Sequence, residues 1–560
     1  MFSEPESLPI GQKVATMIGA LLGLFLAALD QTIVATAGPF IQKDLSIEPG
    51  LYVWITTAYL VASTVLVPIY GKLSDIYGRR RVLLVAIGIF LAGSLACGVS
   101  QSAAQLIAFR AVQGIGSAGL FTSAFAIVAD LFPPAERGKW QGIFGAAWGV
   151  SSVVGPLLGG VLTQHLSWHW TFFVNLPIGA VAVGLIVSKM PPLRRVHEKR
   201  PSLDVLGAAA LAMATLPLLL ALSLGHAEGA SANGWAWMSW QIMALFATSA
   251  VGIVAFIVIE KRVTNPILDF KLFRIKTFAV GSLATFVVGS AFLGAIVFLP
   301  LFMVNVVGLS ATSSGLTTTP LTFGIVAANV LSGQMVSKLG SYKGLLIGSL
   351  VVQVASFALL AVTLSTSETQ LSMSLKMVLL GIGLGPSIPL FTLAIQTSVP
   401  VQQIGVATAA ATFFRQMGTT IGIAIIGTIF ATSFAGTLQR DMPKPEELPP
   451  QMREMMQRGG GAGGGEDTRI AFDAKAIAAK ADAAIDAAPM PDEVKAAAKQ
   501  NAHAAIAKVH GAFKQAFTRS LVNVFWISLV IAGIGLLITM FLPQLPLRAG
   551  PPGQRPPAID

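Results

Sequence analysis

The sequence predicts an all-α integral membrane protein with fourteen transmembrane helices. Of its 560 residues, 54% are hydrophobic and only 11% are charged, whereas about 25% of residues are charged in soluble domains. The hydrophobic residues fall in runs of about twenty, the helix length that crosses a ~30 Å hydrocarbon layer at ~1.5 Å of rise per residue. The predicted spans cover residues 14–36, 52–70, 82–99, 104–127, 141–162, 171–187, 205–224, 237–259, 278–304, 313–336, 344–364, 371–395, 405–431 and 521–542.

An internal repeat divides these spans into two six-helix bundles, with spans seven and eight inserted between them. The segment GKLSDIYGRRRV leaves span two at Gly71, and GQMVSKLGSYKG leaves span ten at Gly333. Both contain a second glycine seven positions after the first, followed by a cation at Arg81 or Lys343. Two similar halves that rock against each other are the mechanical basis of alternating access.

The repeat and the spans together predict six regions. They are an N-terminal six-helix bundle at 1–190, a cytoplasmic linker with inserted helices seven and eight at 191–275, the first five helices of the C-terminal bundle at 276–432, an extracytoplasmic Ala/Gly-rich loop with a helical segment at 433–517, the last transmembrane helix at 518–542, and a disordered cytoplasmic tail at 543–560.

The net charge of +11 is explained by orientation in the membrane, because the chain has no soluble basic domain for a nucleic-acid partner. Lys and Arg in short loops stay in the cytoplasm. With the amino terminus inside, the basic clusters at 72–81, 137–139, 194–200 and 261–274 all lie on that side. We therefore expect a multi-pass protein of the cytoplasmic (inner) membrane with both termini in the cytoplasm. The first hydrophobic run is longer than a signal-peptide core and is expected to remain as an anchor.

The 433–517 segment is the one long loop on the outer side. Its stretch GGGAGGG at 459–465 is typical of a flexible link, and residues 492–517 place their larger apolar side chains near one helical face. Two interpretations stay open: a solvated, partly helical cap, or a docking site for a partner protein such as a periplasmic adaptor.

Three charged residues lie deep inside predicted spans, where an ionised side chain costs at least ~2.5–3.5 kcal/mol and is a functional candidate by default. Asp30 in span one and Arg110 in span four both lie ~9 Å from the outer ends of their spans, so they can pair. A carboxyl group whose surroundings change can load and release a proton; the alternative is a static pair that fixes helix packing. Arg415 in span thirteen has no evident acidic partner, so it bonds backbone carbonyls, faces water or meets an anionic substrate group.

Small residues fill one side of span five. Glycine lets a neighbouring backbone approach closely, and proline removes a helix hydrogen bond and bends the helix. The residues concerned are Gly145, Gly149, Gly155, Pro156, Gly159 and Gly160.

The sequence gives no sign of a cofactor, a metal site or an enzyme. The single cysteine, Cys97, has no intrachain partner for a disulfide or a thiolate metal site. The G-x-G-x-x-G match at 114–119 lies within an apolar span, where no βαβ unit can present a dinucleotide. P-loop, HExxH and nucleophile-elbow motifs are absent from the sequence.

Taken together, these motifs resemble the major facilitator superfamily, and specifically its fourteen-helix drug:proton antiporter branch. LDQTIVATAGP at 29–39 is similar to the branch's first-span motif, which implies that Asp30 couples protons. RAVQGIG at 110–116 is similar to the fourth-span motif, in which the arginine, here Arg110, assists proton transfer. WHWTFFVNLPIG at 168–179 and FFRQMGTTIG at 413–422 resemble two further signatures of the branch.

The resemblance also assigns a conformational latch and a transport direction. The segment from Gly71 to Val82 resembles the superfamily's loop motif, which implies a latch at the N-terminal bundle. The span-five glycines resemble the antiporter motif, which separates exporters from symporters. The latch residues are Gly71, Asp75, Gly78, Arg79 and Arg80.

The resemblance therefore implies a proton-coupled secondary exporter of small amphipathic or lipophilic compounds, such as drugs and dyes. The proton gradient drives it without a cofactor, and its partners are substrates, protons and membrane lipid, with a monomeric chain. Two alternatives are an exporter of lipids or glycolipids, whose acyl chains the outer loop shields, and a membrane scaffold or sensor that does not transport.

Overall fold

A computed structural model describes residues 8–47, 49–193, 202–226, 235–308, 319–443, 474–487 and 491–547 of the chain. These residues are almost entirely helical. The N-terminal half consists of α1 (Ile10–Asp44), α2 (Pro49–Tyr77), α3 (Arg79–Gly98), α4 (Ala103–Leu131), α5 (Pro134–His165), α6 (Trp170–Phe173) and α7 (Asn175–Lys189).

A short connection carrying two helices follows the first half. It contains α8 (Val205–Leu224), the strands β1 (Gly225–His226) and β2 (Trp235–Ala236), α9 (Trp240–Glu260) and a 3-10 helix (Phe270–Arg274). The two strands are parallel and pair Gly225 with Trp235. The Asp204 carboxylate accepts a hydrogen bond from the Gly207 N–H, so it caps α8 and fixes where that helix begins.

The C-terminal half begins at Lys276. It contains α10 (Lys276–Asn305), α11 (Thr319–Leu339), α12 (Lys343–Thr363), α13 (Gln370–Leu384), α14 (Ser387–Ser398), a 3-10 helix (Val401–Gln403), α15 (Ile404–Asp441), α16 (Ala474–Ala487) and α17 (Asp492–Met540). Predicted span twelve is divided into α13 and α14 at Pro386, which has no backbone N–H to continue the helix.

Twelve helical stretches among the described residues are long and apolar enough to cross a membrane. Helix α10 adds a shorter apolar section, Lys276–Ala291. Helix α11 occupies the place of predicted span ten but is not one of the twelve, because polar residues such as Asn329 and Gln334 lower its mean hydropathy. The exact number of fourteen spans therefore stays a prediction.

The internal repeat has a structural counterpart. Gly78 and Gly340, the second glycines of the two copies, both have positive φ values of +90° and +63°. This backbone conformation favours glycine, and it forms the turns from α2 to α3 and from α11 to α12. The two sequence segments thus make equivalent turns in the two halves.

The first glycines of the repeat bring the two halves together along two seams. A Cβ on Gly71 of α2 would lie 3.0 Å from the carbonyl oxygen of Gly405 in α15. In the second seam, a Cβ on Gly138 of α5 would lie 3.1 Å from the carbonyl oxygen of Gly333 in α11. Helix α8 packs against both α2 and α15, so the inserted helices cover the first seam.

On the side opposite the start of α1, the helices continue past the predicted boundaries at 432 and 517. Helix α15 continues to Asp441, and α17 runs without interruption from Asp492 to Met540. Aromatic packing explains the extension, because Phe434 of α15 contacts Phe513 of α17 at a ring-centroid distance of 5.4 Å. The predicted helical segment 492–517 is therefore the first part of the last spanning helix, α17. The glycine stretch 459–465, the basic cluster 194–200 and most of the predicted tail, 548–560, lie outside the described residues.

Candidate functional site

The structure brings Asp30 and Arg110 together inside the N-terminal half. Nη1 of Arg110 lies 2.5 Å from Oδ2 of Asp30, and both side chains are almost fully buried. The other carboxylate oxygen, Oδ1, accepts hydrogen bonds from Nε2 of Gln113 at 2.8 Å and Nδ2 of Asn175 at 3.2 Å. Side chains of α4 and α7 thus bind one carboxyl group of α1, and Ser94 of α3 lies behind Asn175.

Arg110 is held on three sides. Its Nε donates to the carbonyl oxygen of Ile55 at 3.1 Å, and its Nη1 also donates to Oε1 of Gln113 at 2.7 Å. Its guanidinium carbon lies 4.2 Å from the centroid of the Tyr59 ring, a cation–π distance. The positive charge is therefore matched by one carboxylate and a surrounding set of polar and aromatic groups.

Sequence reasoning missed Gln113 and Asn175. Asn175 is the first residue of α7, where span six is interrupted, and its Nδ2 also donates to Oγ of Ser94 at 3.0 Å. Gln113 lies one helical turn after Arg110 on α4, the spacing at which two side chains share a face. That spacing was the available signal for Gln113, while Asn175 had only its polarity within an apolar span.

The residues of the predicted latch lie on the side of the membrane where α1 begins, which we call the N-side. Nη2 of Arg79 lies 2.6 Å from Oδ1 of Asp75, and Nε of Arg79 lies 2.7 Å from Oδ2 of Asp130. The other oxygen of Asp75 accepts a hydrogen bond from the backbone N–H of Val406 at 3.1 Å. Because Val406 lies at the start of α15, the carboxylate also faces the positive end of that helix.

Arg80, which the resemblance included in the latch, does not reach the seam. Its Nη2 donates to the carbonyl oxygen of Val187 near the end of α7 at 2.6 Å, at an exposed position. The latch in this structure therefore consists of Asp75, Arg79 and the glycines that allow close approach, with Asp130 as an additional member.

Two buried glutamines form a second link between the halves on the N-side. Nε2 of Gln141 in α5 donates to Oε1 of Gln396 in α14 at 2.7 Å. Nε2 of Gln396 donates to the carbonyl oxygen of Phe125 in α4 at 3.2 Å. Together with the bond from Val406 to Asp75, this link joins the two halves on the N-side. It could not be inferred from the sequence, because the two glutamines are far apart along the chain.

The span-five glycines contact two neighbouring helices, first α11 and then α1. A Cβ on Gly145 would lie 2.8 Å from the side-chain amide of Asn329 in α11, and Gly149 faces the same helix. Further along α5, a Cβ on Gly159 would lie 2.9 Å from the carbonyl oxygen of Ile33 in α1, and Gly155 packs there too. Pro156 lies inside the helix between these glycines, whereas a Cβ on Gly160 would meet no described atom within 4 Å.

Arg415 lies in the C-terminal half beside a cavity of about 10 Å³, which is room for about one water molecule. No hydrogen bond or ion pair joins its side chain to any residue that the structure describes. The walls are contributed by α10, α14 and α15, through Thr285, Val288, Gly289, Ser387, Ile388 and Phe391. Asp30 and Arg415 thus lie in different halves, the first in a buried ion pair and the second beside a small cavity.

The described part of the chain contains no group of three or more His, Cys, Asp or Glu side chains that could hold a metal ion.

Comparison with known proteins agrees with this architecture. A family model described as Major Facilitator Superfamily matches residues 20–423. The chain belongs to the major facilitator superfamily. Multidrug transporter protein MdtP of Bacillus subtilis (strain 168) is 35% identical over 546 residues, covering 96% of this chain and 94% of the relative. Multidrug resistance protein 3 of the same organism is 37% identical over 422 residues, covering 75% and 80% of the two chains.

A solved structure supports the same fold. The proton:xylose symporter XylE superposes with a TM-score of 0.56 at 12% identity, covering 95% of this chain and 96% of the other. Membership of the major facilitator superfamily confirms the predicted fold class. It also makes the chain a multi-pass membrane transporter of small molecules rather than an enzyme.

Proposed function

We propose that this transporter is a proton-coupled exporter of small amphipathic or lipophilic compounds such as drugs and dyes, and that it works by alternating access. It would act as a monomer in the cytoplasmic (inner) membrane, with the N-side facing the cytoplasm and both termini there. The proton gradient supplies the energy, and no cofactor is required. The names of the relatives MdtP and Multidrug resistance protein 3 support the substrate class.

The observation that carries the proposal is the enclosed carboxyl group of Asp30. It accepts three hydrogen bonds, one of them within an ion pair with Arg110. A buried ion pair is costly to desolvate, and a membrane protein retains such a group where it has a task. Protonation of Asp30 would cancel its charge, release Arg110 from the pair and change the contacts between α1 and α4.

The closed N-side gives this step a direction. With the latch and the Gln141 to Gln396 link formed, a proton would reach Asp30 from the opposite, outer side. Protonation would then favour opening toward the cytoplasm, where the proton leaves and a substrate binds. The glycine-lined surfaces of α5 let this helix slide between α1 and α11 during the exchange.

The proposal is tested in inside-out vesicles that are acidified internally and contain a pH-sensitive dye. Addition of a transported compound should release protons in the native protein, and Asp30→Asn should abolish that release while the protein still reaches the membrane. Asp44→Asn is the matched control. It removes a carboxylate at the outer end of the same helix, and that carboxylate accepts a hydrogen bond from Trp168 and does not pair with Arg110.

Unchanged proton release in Asp30→Asn would refute the coupling role. Movement of fluorescent lipids without movement of dyes would instead favour a lipid exporter, and the absence of any flux would favour a scaffold.

A further inference from the structure

We propose that Arg415 binds the acidic group of an amphipathic substrate, so that the exporter accepts compounds with one carboxylate or sulfonate attached to an apolar body. This inference rests on the proposed function, because it names the substrate class of the same transport cavity. It begins from the contrast between Arg415, whose side chain is partly exposed, and the buried arginines of the described spans.

Each of those buried arginines forms ion pairs with carboxylates or donates hydrogen bonds to carbonyl oxygens of the protein. Arg79 pairs with two carboxylates, and Arg110 pairs with Asp30. Arg137 donates to the carbonyl oxygens of Phe132 at 3.0 Å and Ala129 at 2.9 Å. The guanidinium of Arg415 has neither kind of partner within the described ranges. A cation within the membrane is costly unless something else compensates it.

The backbone of Arg415 is fixed. A Cβ on Gly289 of α10 would lie 2.7 Å from the carbonyl oxygen of Arg415, and Gly418, one turn later in α15, packs equally closely on the backbone of Phe286. Because α10 and α15 are in backbone contact here, only the side chain of Arg415 can move to meet a ligand.

The cavity beside Arg415 lies in the C-terminal half, and one of its wall residues contacts the N-terminal half. Its wall residue Ile388 packs against the hydrophobic cores of both the N-terminal and the C-terminal half. In the closed state the space admits about one water molecule. Separation of the halves would therefore uncover the cavity at Ile388.

The chemistry of the walls selects an anion with an apolar body. A guanidinium offers five N–H donors in a planar fork that matches a carboxylate or sulfonate, and it repels cations. The hydroxyl groups of Thr285 and Ser387 already donate to carbonyl oxygens of their own helices. Val288 and Phe391 provide apolar surface beside the charge.

The charge balance of the interior points the same way. Asp30 and Arg110 together carry no net charge, so the positive charge of Arg415 is not cancelled by that pair. An arriving acidic group would cancel it. A substrate without an acidic group would leave the guanidinium without a counter-charge.

The test uses the full chain in lipid nanodiscs, without a pH gradient, and two dansyl-labelled alkyl chains of equal length. One probe ends in a carboxylate and the other in a trimethylammonium group. Fluorescence titration of the native protein should give tighter binding of the carboxylate probe. Arg415→Gln should weaken that binding by about tenfold or more, because it removes a hydrogen bond between charged groups, and should change ammonium binding by less than about twofold.

Two further variants make the result specific. Arg415→Lys keeps the positive charge but loses the planar arrangement of N–H donors, so it should weaken binding of the carboxylate probe by several-fold. It replaces Arg415→Gln in the test if the glutamine variant does not fold. Arg440→Gln removes an exposed arginine from the outer end of the same helix. It should leave the binding affinities for both probes unchanged.

The proposal is wrong if Arg415→Gln weakens both probes equally, or if the native protein binds the carboxylate probe no better than the ammonium probe. It is also wrong if chloride binds at Arg415 and the carboxylate probe does not, since the site then serves a free anion. These titrations need no proton gradient, so they are independent of the Asp30→Asn flux assay that tests coupling.

Discussion

Replacing Asp75 by asparagine should open the N-side, because the carboxylate of Asp75 joins the two halves through the Val406 N–H. A hydrogen bond to a charged group contributes about 1.5–3 kcal/mol, and a neutral one contributes about 0.5–1.5 kcal/mol. The asparagine oxygen can still accept from Val406, so the closed state loses about 1–1.5 kcal/mol. Since ~1.4 kcal/mol is a factor of ten in an equilibrium constant, the open population should rise roughly 5- to 12-fold.

The assay is the labelling rate of a cysteine buried in the latch seam. Ala409→Cys places a thiol in α15 directly against Gly71 of α2, in a background where the native cysteine is replaced by Cys97→Ser. A membrane-impermeant maleimide applied to inside-out vesicles reaches this thiol only when the seam opens on the N-side. Asp75→Asn should increase the labelling rate by the factor given above.

Asp130→Asn is the matched control for this measurement. It removes a carboxylate that contacts the same guanidinium of Arg79, but the contact lies within the N-terminal half. Its labelling rate should rise much less than that of Asp75→Asn. Equal rates in the native protein and Asp75→Asn would show that the bond to Val406 does not hold the halves together.

Two further perturbations address the packing of α5 and the surroundings of Asp30. Gly142→Ala should strongly reduce the initial transport rate, because the added Cβ would lie 2.5 Å from a backbone carbonyl oxygen of α11. Gly160→Ala is the control and should keep the native initial rate. Similar rates for the two variants would contradict the close-packing argument. Asn175→Ala should lower the rate of gradient-driven transport about tenfold with the substrate KM unchanged, because it removes a hydrogen bond to the charged carboxylate of Asp30. Ser94→Ala, which alters the other contact of Asn175, should have a smaller effect on that rate, and a change in KM alone would indicate a role in substrate binding instead.

The sequence was sufficient for features that depend on local spacing or depth. The repeated glycines predicted two equivalent turns, and both Gly78 and Gly340 have the positive φ values that such turns require. The matching depths of Asp30 and Arg110 predicted that they can pair, and their side chains are in contact. Each of these inferences used only the geometry of a helix or a turn.

Contacts between distant helices could not be predicted in this way. The bond between Gln141 and Gln396 depends on how the two halves are rotated relative to each other, and no local pattern encodes that rotation. The predicted boundary at 517 falls inside one continuous helix for a different reason. Between Asp492 and Met540 the chain contains no proline, so the polar outer part and the apolar spanning part continue as one helix.

The two copies of the glycine repeat are alike in backbone but differ in chemistry. Where the first copy has Asp75 and Arg79, the second has Ser337 and Ser341. In the described part of the chain, the seam between α2 and α15 is crossed by a bond to an ion-paired carboxylate, and α8 lies along its outside. We expect the halves to separate unevenly, with the wider gap between α5 and α11, so that lipid-dissolved compounds enter from that flank of the molecule.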